Sequence, residues 1–555
     1  MGKREEFDVC VIGTGAGGGV MIQELTAAGF KVVALQRGPF LQRTDFSDDE
    51  LATAVRDEIF APHLVETWRE DENRPAVAGR YSSTAHCVGG TMTRWAAWSW
   101  RYRREDFKAL STEGPVEGAS LADWPIDYEE LEPYYEKAEW EFGVSGDGGA
   151  NPFAPSRKKD YPNPPHPARA SSSIVTGGAQ RLGYHPFPTP VAINSQPYGG
   201  RPRCLYGGNC AGYGCPVHAK ATTLSVCISK ALATRRLDLR PNAVAREITL
   251  GKDGRAKSVL FIDWKGRLQE VFAHAVVVAG NAVGSAHLLL SSKSGSFPQG
   301  LANSSGLVGR NLMLHTMPLI LFQTDEPALG FAGMSSHVAV DDLHPSDTKR
   351  GFVRGGVIVE RNDLSAQPIV YSLFAGQGRE RGNRPWGGEL KKFLGEFPRT
   401  IAIGAVLEDL PMEANRVDLD PNVKDSQGLP VPRLTHRQHP NDLAMHRWFQ
   451  EKLLEIGAAC GAREKWISRI PGVSHIDEET PMSGGIHVMG TCRMGEDPKT
   501  SVLDRWCRAH DVKNLWVVDG SCFPTAGGYS PALTILANAY RVAEYWIAEA
   551  KKQNL

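Results

Sequence analysis

The sequence predicts a multidomain α/β protein built around a Rossmann-like, parallel nucleotide-binding sheet, and three observations support this fold class. A chain of 555 residues is too long for one compact hydrophobic core. The glycine-rich stretch VIGTGAGGGV, residues 11–20, stands between an apolar strand and a helix. Far along the chain, a strand at residues 515–518 leads through Asp519 and Gly520 into an apolar helix.

The composition is that of a globular protein without a charge bias. Apolar residues make up 41% and charged residues 23%, and 62 basic residues balance 63 acidic ones. This balance gives no argument for a nucleic acid or an anionic membrane as a partner. No run of about 18 apolar residues is present, so we expect no membrane span in this chain. The opening MGKREEFDVCVIG lacks a signal core, which predicts a cytoplasmic location; the alternative is periplasmic export together with a partner subunit.

The glycine-rich stretch has the features of a dinucleotide-binding βαβ unit. The apolar strand FDVCVIG precedes it, a helix follows, and KVVAL supplies the second strand. In this unit Gly13 permits the tight turn, Gly15 lets the backbone approach a pyrophosphate, and Gly18 allows close packing of helix against strand. The first helical N–H groups, at Ala16 and Gly17, would face the phosphates.

The end of the second strand departs from the usual pattern. An acidic residue is expected there to accept hydrogen bonds from the ribose, but the chain has Gln36. A glutamine carbonyl can accept one such bond without a charge, so we expect ribose binding to survive in weaker form. The neighbouring Arg37 would fit a 2′-phosphate and hence NADP, an alternative that the remaining motifs oppose.

Motifs spread along the whole chain resemble those of the glucose–methanol–choline (GMC) family of FAD oxidoreductases. Two lie near the end, GGIHVMGTCRMG (484–495) and the segment from KNLWVVDGSCF to SPALT (513–534). Three more follow the glycine turn: CVGGTMTRW (87–95), VVVAGNAVGSAHLLL (276–290) and GLVGRNLMLH (306–315). The segment LADWPIDYEELEPYYEKAEWEFGVSG (121–146) is similar to the branch that contains gluconate, glucose and fructose dehydrogenase flavoproteins, alongside pyranose-oxidase-like enzymes.

The resemblance implies an architecture and an activity. It implies a discontinuous FAD-binding domain (1–310 and 480–555) and an α+β substrate domain on an antiparallel sheet (311–479). The implied reaction oxidises an alcohol group of a sugar, polyol or aldonate, with hydride transfer to flavin N5 and electrons passing to a non-oxygen acceptor such as a quinone or cytochrome. Alternatives are an oxidase that uses O₂ and releases H₂O₂, a dehydrogenase of a non-sugar alcohol, and a flavin-binding subunit with a degraded catalytic site.

The family's cofactor contacts carry over to positions along the whole chain. The residues implied to contact FAD are Gly13, Gly15, Ala16, Gly17 and Gly18 at the pyrophosphate; Gln36 and Arg37 at the ribose; Val244 at the adenine; Gly89, Gly90 and Thr91 at the phosphates and flavin; Arg94 and Trp95 at the flavin edge; and Gly280, Asp519 and Gly520 elsewhere along the dinucleotide. Some relatives attach flavin covalently through a histidine in the slot that Arg94 occupies here. The resemblance therefore implies non-covalent FAD.

The implied catalytic pair is His487 and Ser530. His487 lies within the family's catalytic motif, and the pKa of an unperturbed histidine, near 6.5, suits a general base. The family usually has a second histidine or an asparagine where Ser530 stands. Ser530 could orient the substrate hydroxyl or cap the helix that follows, and the adjacent Tyr529 could supply a longer donor. We interpret His475 and His510 as surface or loop residues.

Three cysteines cluster in RCLYGGNCAGYGC, with the spacing C-x5-C-x4-C. Cys204, Cys210 and Cys215 resemble the three-cysteine motif of membrane-tethered FAD glucose and fructose dehydrogenases, which implies a 3Fe–4S cluster as a possible second cofactor. A small subunit and a cytochrome or quinone would then be partners. The alternatives are a disulfide, if the protein is exported, and plain loop thiols. Zinc is disfavoured because the spacing matches no standard site, although His218 is near.

Local patterns predict several elements outside these motifs. Strands are predicted within residues 351–361 and 399–409, and an amphipathic helix capped by Asn441 within 440–461. Asp127 and Glu130 have the spacing of a capping box. The stretch 150–220, rich in proline, glycine and serine, is predicted to be a long loop that crosses near the active site.

Overall fold

A computed structural model describes residues 6–61, 63–362, 386–468 and 485–554. Its strands are β1 (Glu6–Ile12), β2 (Val32–Gln36), β3 (Glu66–Arg69), β4 (Val77–Gly79), β5 (Phe187–Pro188), β6 (Leu237–Pro241), β7 (Val244–Leu250), β8 (Ala256–Ile262), β9 (Leu268–Val278), β10 (Leu319–Gln323), β11 (Val338–Val340), β12 (Gly356–Glu360), β13 (Thr400–Leu407), β14 (Arg416–Lys424), β15 (Pro430–Thr435), β16 (Glu464–Ile467) and β17 (Leu515–Val517). The helices are α1 (Ala16–Ala27), α2 (Ala109–Glu113), α3 (Tyr128–Phe142), α4 (Ala170–Arg181), α5 (Ser229–Ala233), α6 (Asn281–Ser291), α7 (Gly387–Gly395), α8 (Pro440–Ala459) and α9 (Ala532–Lys551).

The largest sheet has seven strands and joins the two ends of the chain. Its order is β6-β2-β1-β9-β8-β7, and β17 pairs with β9 as well. The β6, β2, β1, β9 and β17 strands are mutually parallel, whereas β7, β8 and β9 form an antiparallel meander. The apolar β1 and β17 are buried in the core, as the sequence predicts for central parallel strands. This is the Rossmann-like α/β sheet of the predicted fold class.

Two helices from opposite ends of the chain cover this sheet side by side. The N-terminal α1 packs against the C-terminal α9, which also packs against α3. On α9, Leu533, Leu536 and Tyr540 are fully buried, as their helical spacing predicts. Glycine lets α1 sit deeper than any other residue would allow: a Cβ built on Gly17 would lie 1.6 Å from the carbonyl oxygen of Val518, just after β17. The start of α1 is thus pressed directly against the end of β17.

A second, six-stranded sheet lies in the later half of the chain. Its order is β16-β10-β13-β12-β11-β5, and every pairing is antiparallel. Apolar side chains of α4 and α8 pack against its strands and form a separate hydrophobic cluster. The predicted strands within 351–361 and 399–409 are its β12 and β13. A third sheet, β14-β15-β3-β4, pairs strands of residues 416–435 with strands of residues 66–79.

Three local predictions need correction or refinement. Helix α8 is capped by His439, whose Nδ1 accepts a hydrogen bond from the Asn441 backbone N–H at 3.1 Å; the predicted cap, Asn441, instead accepts one from Val353 N–H. Asp127 caps α3 by accepting from the Glu130 N–H at 2.8 Å, while the Glu130 carboxylate pairs with arginines 505 and 541. Residues 150–220 are not one long loop, because they contain α4 and β5.

Within the described residues, no helix combines the length and the apolar character that crossing a membrane requires.

The contact between α1 and β17 predicts different costs for two neighbouring glycines. We expect Gly17→Ala to lower the free energy of unfolding by about 1–3 kcal/mol, because its Cβ must push against a backbone carbonyl. Gly15→Ala is the matched control: its φ is −68° and the nearest atom to its Cβ is 4.0 Å away. Urea unfolding of the two apoproteins measures the difference, and equal midpoints would contradict this packing.

Candidate active site

One cavity of about 470 Å³ lies where the predicted site residues meet. Its walls come from the start of α1, the end of β2, residues 90–98, the start of β7, the start of α6 and three C-terminal segments. The predicted residues that line it are Gly13, Gly15, Ala16, Gly17, Gln36, Arg37, Gly90, Thr91, Arg94, Trp95, Val244, Gly280, Asp519, Gly520, His487 and Ser530. Gly18, Gly89 and the three clustered cysteines are not part of the lining.

The glycine turn forms a floor that suits a dinucleotide. Gly13 has a φ of +96°, and a Cβ on Gly18 would lie 2.1 Å from the Gly13 carbonyl oxygen, so both are turn and packing positions. Gly15 differs, because the space beside it is open toward the cavity. Helix α1 begins next to it with no side-chain cap and no acidic residue in its first turn. The free N–H groups and the positive end of the helix dipole therefore fit a pyrophosphate.

Gln36 is used differently from the sequence-based expectation. Its Oε1 accepts hydrogen bonds from the backbone N–H and the hydroxyl of Thr14, at 3.2 and 2.8 Å. The same hydroxyl accepts from Gly89 N–H at 2.9 Å, and the Thr223 hydroxyl donates to the carbonyls of Thr14 and Gly89. Gln36 thus fixes the conformation of the glycine turn. Because its carbonyl oxygen is used for these bonds, its side-chain amide nitrogen is the group that remains to bond a ribose.

Arg37 extends into the cavity next to two carboxylates. Its side chain is exposed to the cavity space, and the protein around it lowers its pKa through burial, while Glu66 and Asp425 act in the opposite direction. Glu66 itself accepts hydrogen bonds from the backbone of Tyr81 and Ser82. The ribose end of the cavity therefore carries a cation with acidic neighbours, which is a poor setting for an additional phosphate.

Asp519 joins the C-terminal motif to the start of α6. Its carboxylate accepts from the Ser521 N–H at 2.8 Å and from the Ser285 hydroxyl at 2.6 Å. The Ser285 oxygen in turn accepts from Gly280 N–H at 3.0 Å. Burial raises the pKa of Asp519. Asp519 therefore shapes the turn and lines the cavity at once.

The segment 90–95 forms the opposite wall. Gly90 approaches Gly15 so closely that a Cβ on it would lie 2.9 Å from the Gly15 Cα. Arg94 pairs with Asp57 at 2.7 Å, and the Trp95 indole N–H donates to the Ala221 carbonyl at 2.8 Å. Both side chains are thus held at the edge of the cavity, where the sequence predicts a flavin ring.

His487 and Ser530 meet in the same cavity. The Ser530 hydroxyl oxygen lies 3.2 Å from His487 Nε2, and both residues are buried. Burial, followed by the influence of His315 and Arg361, lowers the pKa of His487 well below 6.5. Its imidazole is therefore neutral near pH 7 and able to accept a proton. The helix-cap alternative for Ser530 is not realised, since α9 begins at Ala532 without a side-chain cap.

A second histidine contacts the first. His315 Nδ1 lies 3.0 Å from His487 Nδ1, and His315 Nε2 lies 3.2 Å from the Ala526 carbonyl oxygen. The Ala526 loop is fixed from behind by Glu408, whose carboxylate accepts from the N–H groups of Ala526 and Gly527 at 3.0 Å each. Sequence reasoning missed His315 as a site residue, although it ends the quoted motif GLVGRNLMLH.

The cavity wall near His487 is mainly apolar, with one cation. Trp98, Met317 and Ile486 line it together with Arg361, whose guanidinium stacks over the Trp98 ring at 5.3 Å. Tyr529, considered as a donor next to Ser530, is turned away: it is buried and its hydroxyl bonds Asp341 at 2.9 Å. Among the other histidines, His510 contacts Ser501, and His475 lies outside the described residues.

The cysteine cluster does not have the properties of a metal site. Among the residues that the structure describes, no group of three or more His, Cys, Asp or Glu side chains could hold a metal ion. Cys204, Cys210 and Cys215 form no disulfide, and burial, followed by the neighbouring Cys210, raises the pKa of Cys204 to about 12. The expected 3Fe–4S cluster is therefore unsupported. The loop is held instead by Lys220, which donates to the carbonyls of Trp95, Cys210 and Tyr213.

Comparisons with known proteins identify the family of this chain. Family models described as GMC oxidoreductase match residues 83–317 and 411–539. The chain is 34% identical to 2-methyl-1,2-propanediol dehydrogenase of Mycolicibacterium austroafricanum, over 98% of this chain and 95% of the relative. It is 31% identical to the gluconate 2-dehydrogenase flavoprotein of Pantoea cypripedii (99% and 94%) and 30% identical to the fructose dehydrogenase large subunit of Gluconobacter japonicus (98% of each).

The fold also matches a solved structure. Pyridoxine 4-oxidase from Mesorbium loti superposes with a TM-score of 0.65 over 97% of this chain and 99% of that one, at 17% identity. At this identity the solved structure shows a similar fold and nothing about the reaction, whereas the names of the sequence relatives bear on the reaction. The chain belongs to the GMC oxidoreductase family and is an FAD-dependent enzyme that acts on CH–OH groups.

Proposed function

We propose that the protein oxidises an alcohol group of a sugar, polyol or aldonate to a carbonyl and passes the electrons to an acceptor other than oxygen. The observation that supports it best is the neutral, buried imidazole of His487, which shares one cavity with the uncapped glycine turn. When bound, FAD supplies the hydride acceptor. The retained base argues against a degraded, binding-only site.

The residues that would hold FAD are those that line the cavity. Gly13, Gly15 and the first N–H groups of α1 fit the pyrophosphate, and Val244 would meet the adenine. Arg94 and Trp95 would border the flavin ring without a covalent link. In the corresponding division of the chain, residues 1–310 and 480–555 form the FAD-binding domain and residues 311–479 the substrate domain; position 480 lies outside the described residues.

The proton chemistry falls to His487 and Ser530. As the C–H bond of the alcohol breaks, the hydroxyl proton passes to His487 Nε2, which is the ring nitrogen that faces the Ser530 hydroxyl. Ser530 can donate to or accept from the substrate oxygen and so orient it for this transfer. The mainly apolar wall of Trp98, Met317 and Ile486 limits the access of water to the reacting atoms.

Two of the relatives support the choice of substrate class and of a dehydrogenase. Two of them are named as parts of larger dehydrogenases, a flavoprotein and a large subunit, and these enzymes act on gluconate and fructose by name. We therefore propose a partner subunit or a cytochrome or quinone as the route for the electrons.

The function is tested by anaerobic reduction of the purified flavoprotein with a panel of aldonates, sugars, polyols and small diols. Bleaching of the flavin absorbance by a sugar, polyol or aldonate is expected. Reoxidation by a quinone or dye much faster than by O₂ would support a dehydrogenase, whereas rapid release of H₂O₂ would identify an oxidase. A panel in which only the small diols bleach the flavin would contradict the substrate class.

Gly15→Ala should weaken FAD binding while the fold persists. The added methyl group occupies the open space in which the backbone would approach the pyrophosphate, and a loss of about 1–3 kcal/mol, the usual cost of overpacking, corresponds to about a 5- to 150-fold weaker affinity. Titration of the apoprotein with FAD, followed by flavin fluorescence, measures the affinity. An unchanged affinity would place the pyrophosphate elsewhere.

His487→Ala should leave FAD bound and slow flavin reduction by at least about 100-fold, the usual contribution of a general base. Stopped-flow absorbance with a saturating alcohol measures the rate. His510→Ala is the control, because this histidine contacts Ser501 away from the cavity. Wild-type kinetics in the His487 variant would show that another group is the base.

The pH dependence of flavin reduction should have its acidic limb below pH 6.5. The rate falls as the pH drops through the pKa of His487, because the protonated imidazole cannot accept the hydroxyl proton. Burial, His315 and Arg361 all lower that pKa. Reduction rates measured between pH 4.5 and 8 test this; a limb centred above about 6.5, the ordinary value for histidine, would contradict it.

A further inference from the structure

We propose that His315 is a positioning residue that holds His487 in the tautomer whose Nε2 is free to accept the substrate proton. The inference rests on the proposed function, in which His487 is the base. It concerns a residue that makes no hydrogen bond to Ser530 and does not line the cavity.

The Ala526 carbonyl determines which nitrogen of His315 carries the hydrogen. A carbonyl oxygen only accepts hydrogen bonds, so the ring nitrogen 3.2 Å from it, Nε2 of His315, must carry a hydrogen. Burial lowers the pKa of His315 to about 4, so the ring is neutral at pH 7. A neutral imidazole with a hydrogen on Nε2 has a bare lone pair on Nδ1.

That lone pair determines which nitrogen of His487 carries the hydrogen. The two Nδ1 atoms are 3.0 Å apart, with the ring planes perpendicular at 90°, and a hydrogen bond between them requires a hydrogen on one. Because His315 Nδ1 has none, His487 must carry its hydrogen on Nδ1. Its Nε2 is then the bare nitrogen, and it is this atom that faces Ser530 at 3.2 Å.

The surrounding structure fixes the backbone of His315. Its φ is +56°, in the left-handed region, which histidine adopts more often than most residues other than glycine. The preceding Leu314 N–H donates to Asp409 at 2.5 Å, and the following Thr316 carbonyl accepts from Leu407 N–H at 3.0 Å. These backbone hydrogen bonds on both sides hold the His315 ring in place.

Among the residues that the structure describes, burial has the largest effect on the pKa of both rings. His315 and Arg361 lower the pKa of His487 further, whereas Asp409 and the hydrogen bond to Ala526 raise that of His315 and only partly oppose its burial. Burial, rather than any single neighbouring charge, therefore keeps both rings neutral. The hydrogen-bond direction, rather than an ion pair, therefore selects the tautomer.

Three substitutions separate this role from space filling. His315→Asn tolerates a positive φ, and its amide oxygen can accept from His487 Nδ1–H. His315→Gly tolerates the same φ without an acceptor, and His315→Leu fills the space without one. We expect the Gly and Leu variants to bind FAD, and we expect the alcohol to reduce their flavin about 10- to 100-fold more slowly than in wild type. The reduction rate of the Asn variant should stay within about fivefold of wild type.

A readout independent of activity comes from ¹⁵N-histidine NMR of the FAD-bound protein. The His487 signals are identified by their absence in His487→Gln. In wild type and His315→Asn, His487 should show a protonated Nδ1 and a bare Nε2. In the Gly and Leu variants, a larger fraction of His487 should be in the opposite tautomer. A purely structural role for His315 would leave the tautomer unchanged.

Each outcome is decisive. If His487→Gln reduces flavin at the wild-type rate, the proposed base is wrong and the inference falls with it. If His487→Gln is slow while the Gly and Leu variants are as fast as wild type, the inference alone is overturned. Should the Gly and Leu variants fail to retain FAD, the wild-type spectrum decides, because a hydrogen on His487 Nε2 would contradict the inference.

Discussion

The structure depends on the way the two ends of the chain close one sheet. Strand β9 lies between the N-terminal β1 and the C-terminal β17, and α1 reaches the end of β17 because Gly17 has no side chain. This contact brings the glycine turn next to Asp519 and, through α9, next to Ser530. The glycine turn and His487, which are more than 450 positions apart in sequence, thus share one cavity. Without the close approach of α1, the glycine turn would not lie beside the C-terminal residues of the site.

Buried polar groups fix the loops that the sheets leave between them. Glu408 is itself paired with Arg354 at 3.2 Å, and it holds the Ala526 loop; Gln36 and Thr14 tie the glycine turn to Gly89. Each group sits where an unpaired buried charge or amide would be costly, so the hydrogen bonds both satisfy these groups and position the cavity walls. Hydrogen bonds, and not apolar packing alone, thus fix the relative positions of loops that are far apart in sequence.

The sequence predicted what short-range patterns encode. The glycine spacing identifies the βαβ unit, the apolar face of α9 follows from its helical period, and the motif around His487 indicates the residue that we propose as the base. The sequence patterns did not predict the long-range contacts. His315 becomes part of the site only because the end of one motif folds against another, and Gln36 turns toward Thr14 rather than outward. The cap of α8 passed from Asn441 to His439 because Val353 provides the asparagine with a tertiary partner. The cysteine spacing suggested a cluster because spacing does not report burial or ligand geometry.

The central claim is that both ends of the chain hold FAD with its ring beside His487. A crystal structure of the FAD-reconstituted protein tests it most directly. The account predicts a dinucleotide that crosses the Gly15 backbone, with its isoalloxazine ring between Trp95 and the pair His487–Ser530. A ring bound outside this cavity, or a purified protein that cannot be reconstituted with flavin, would contradict the account.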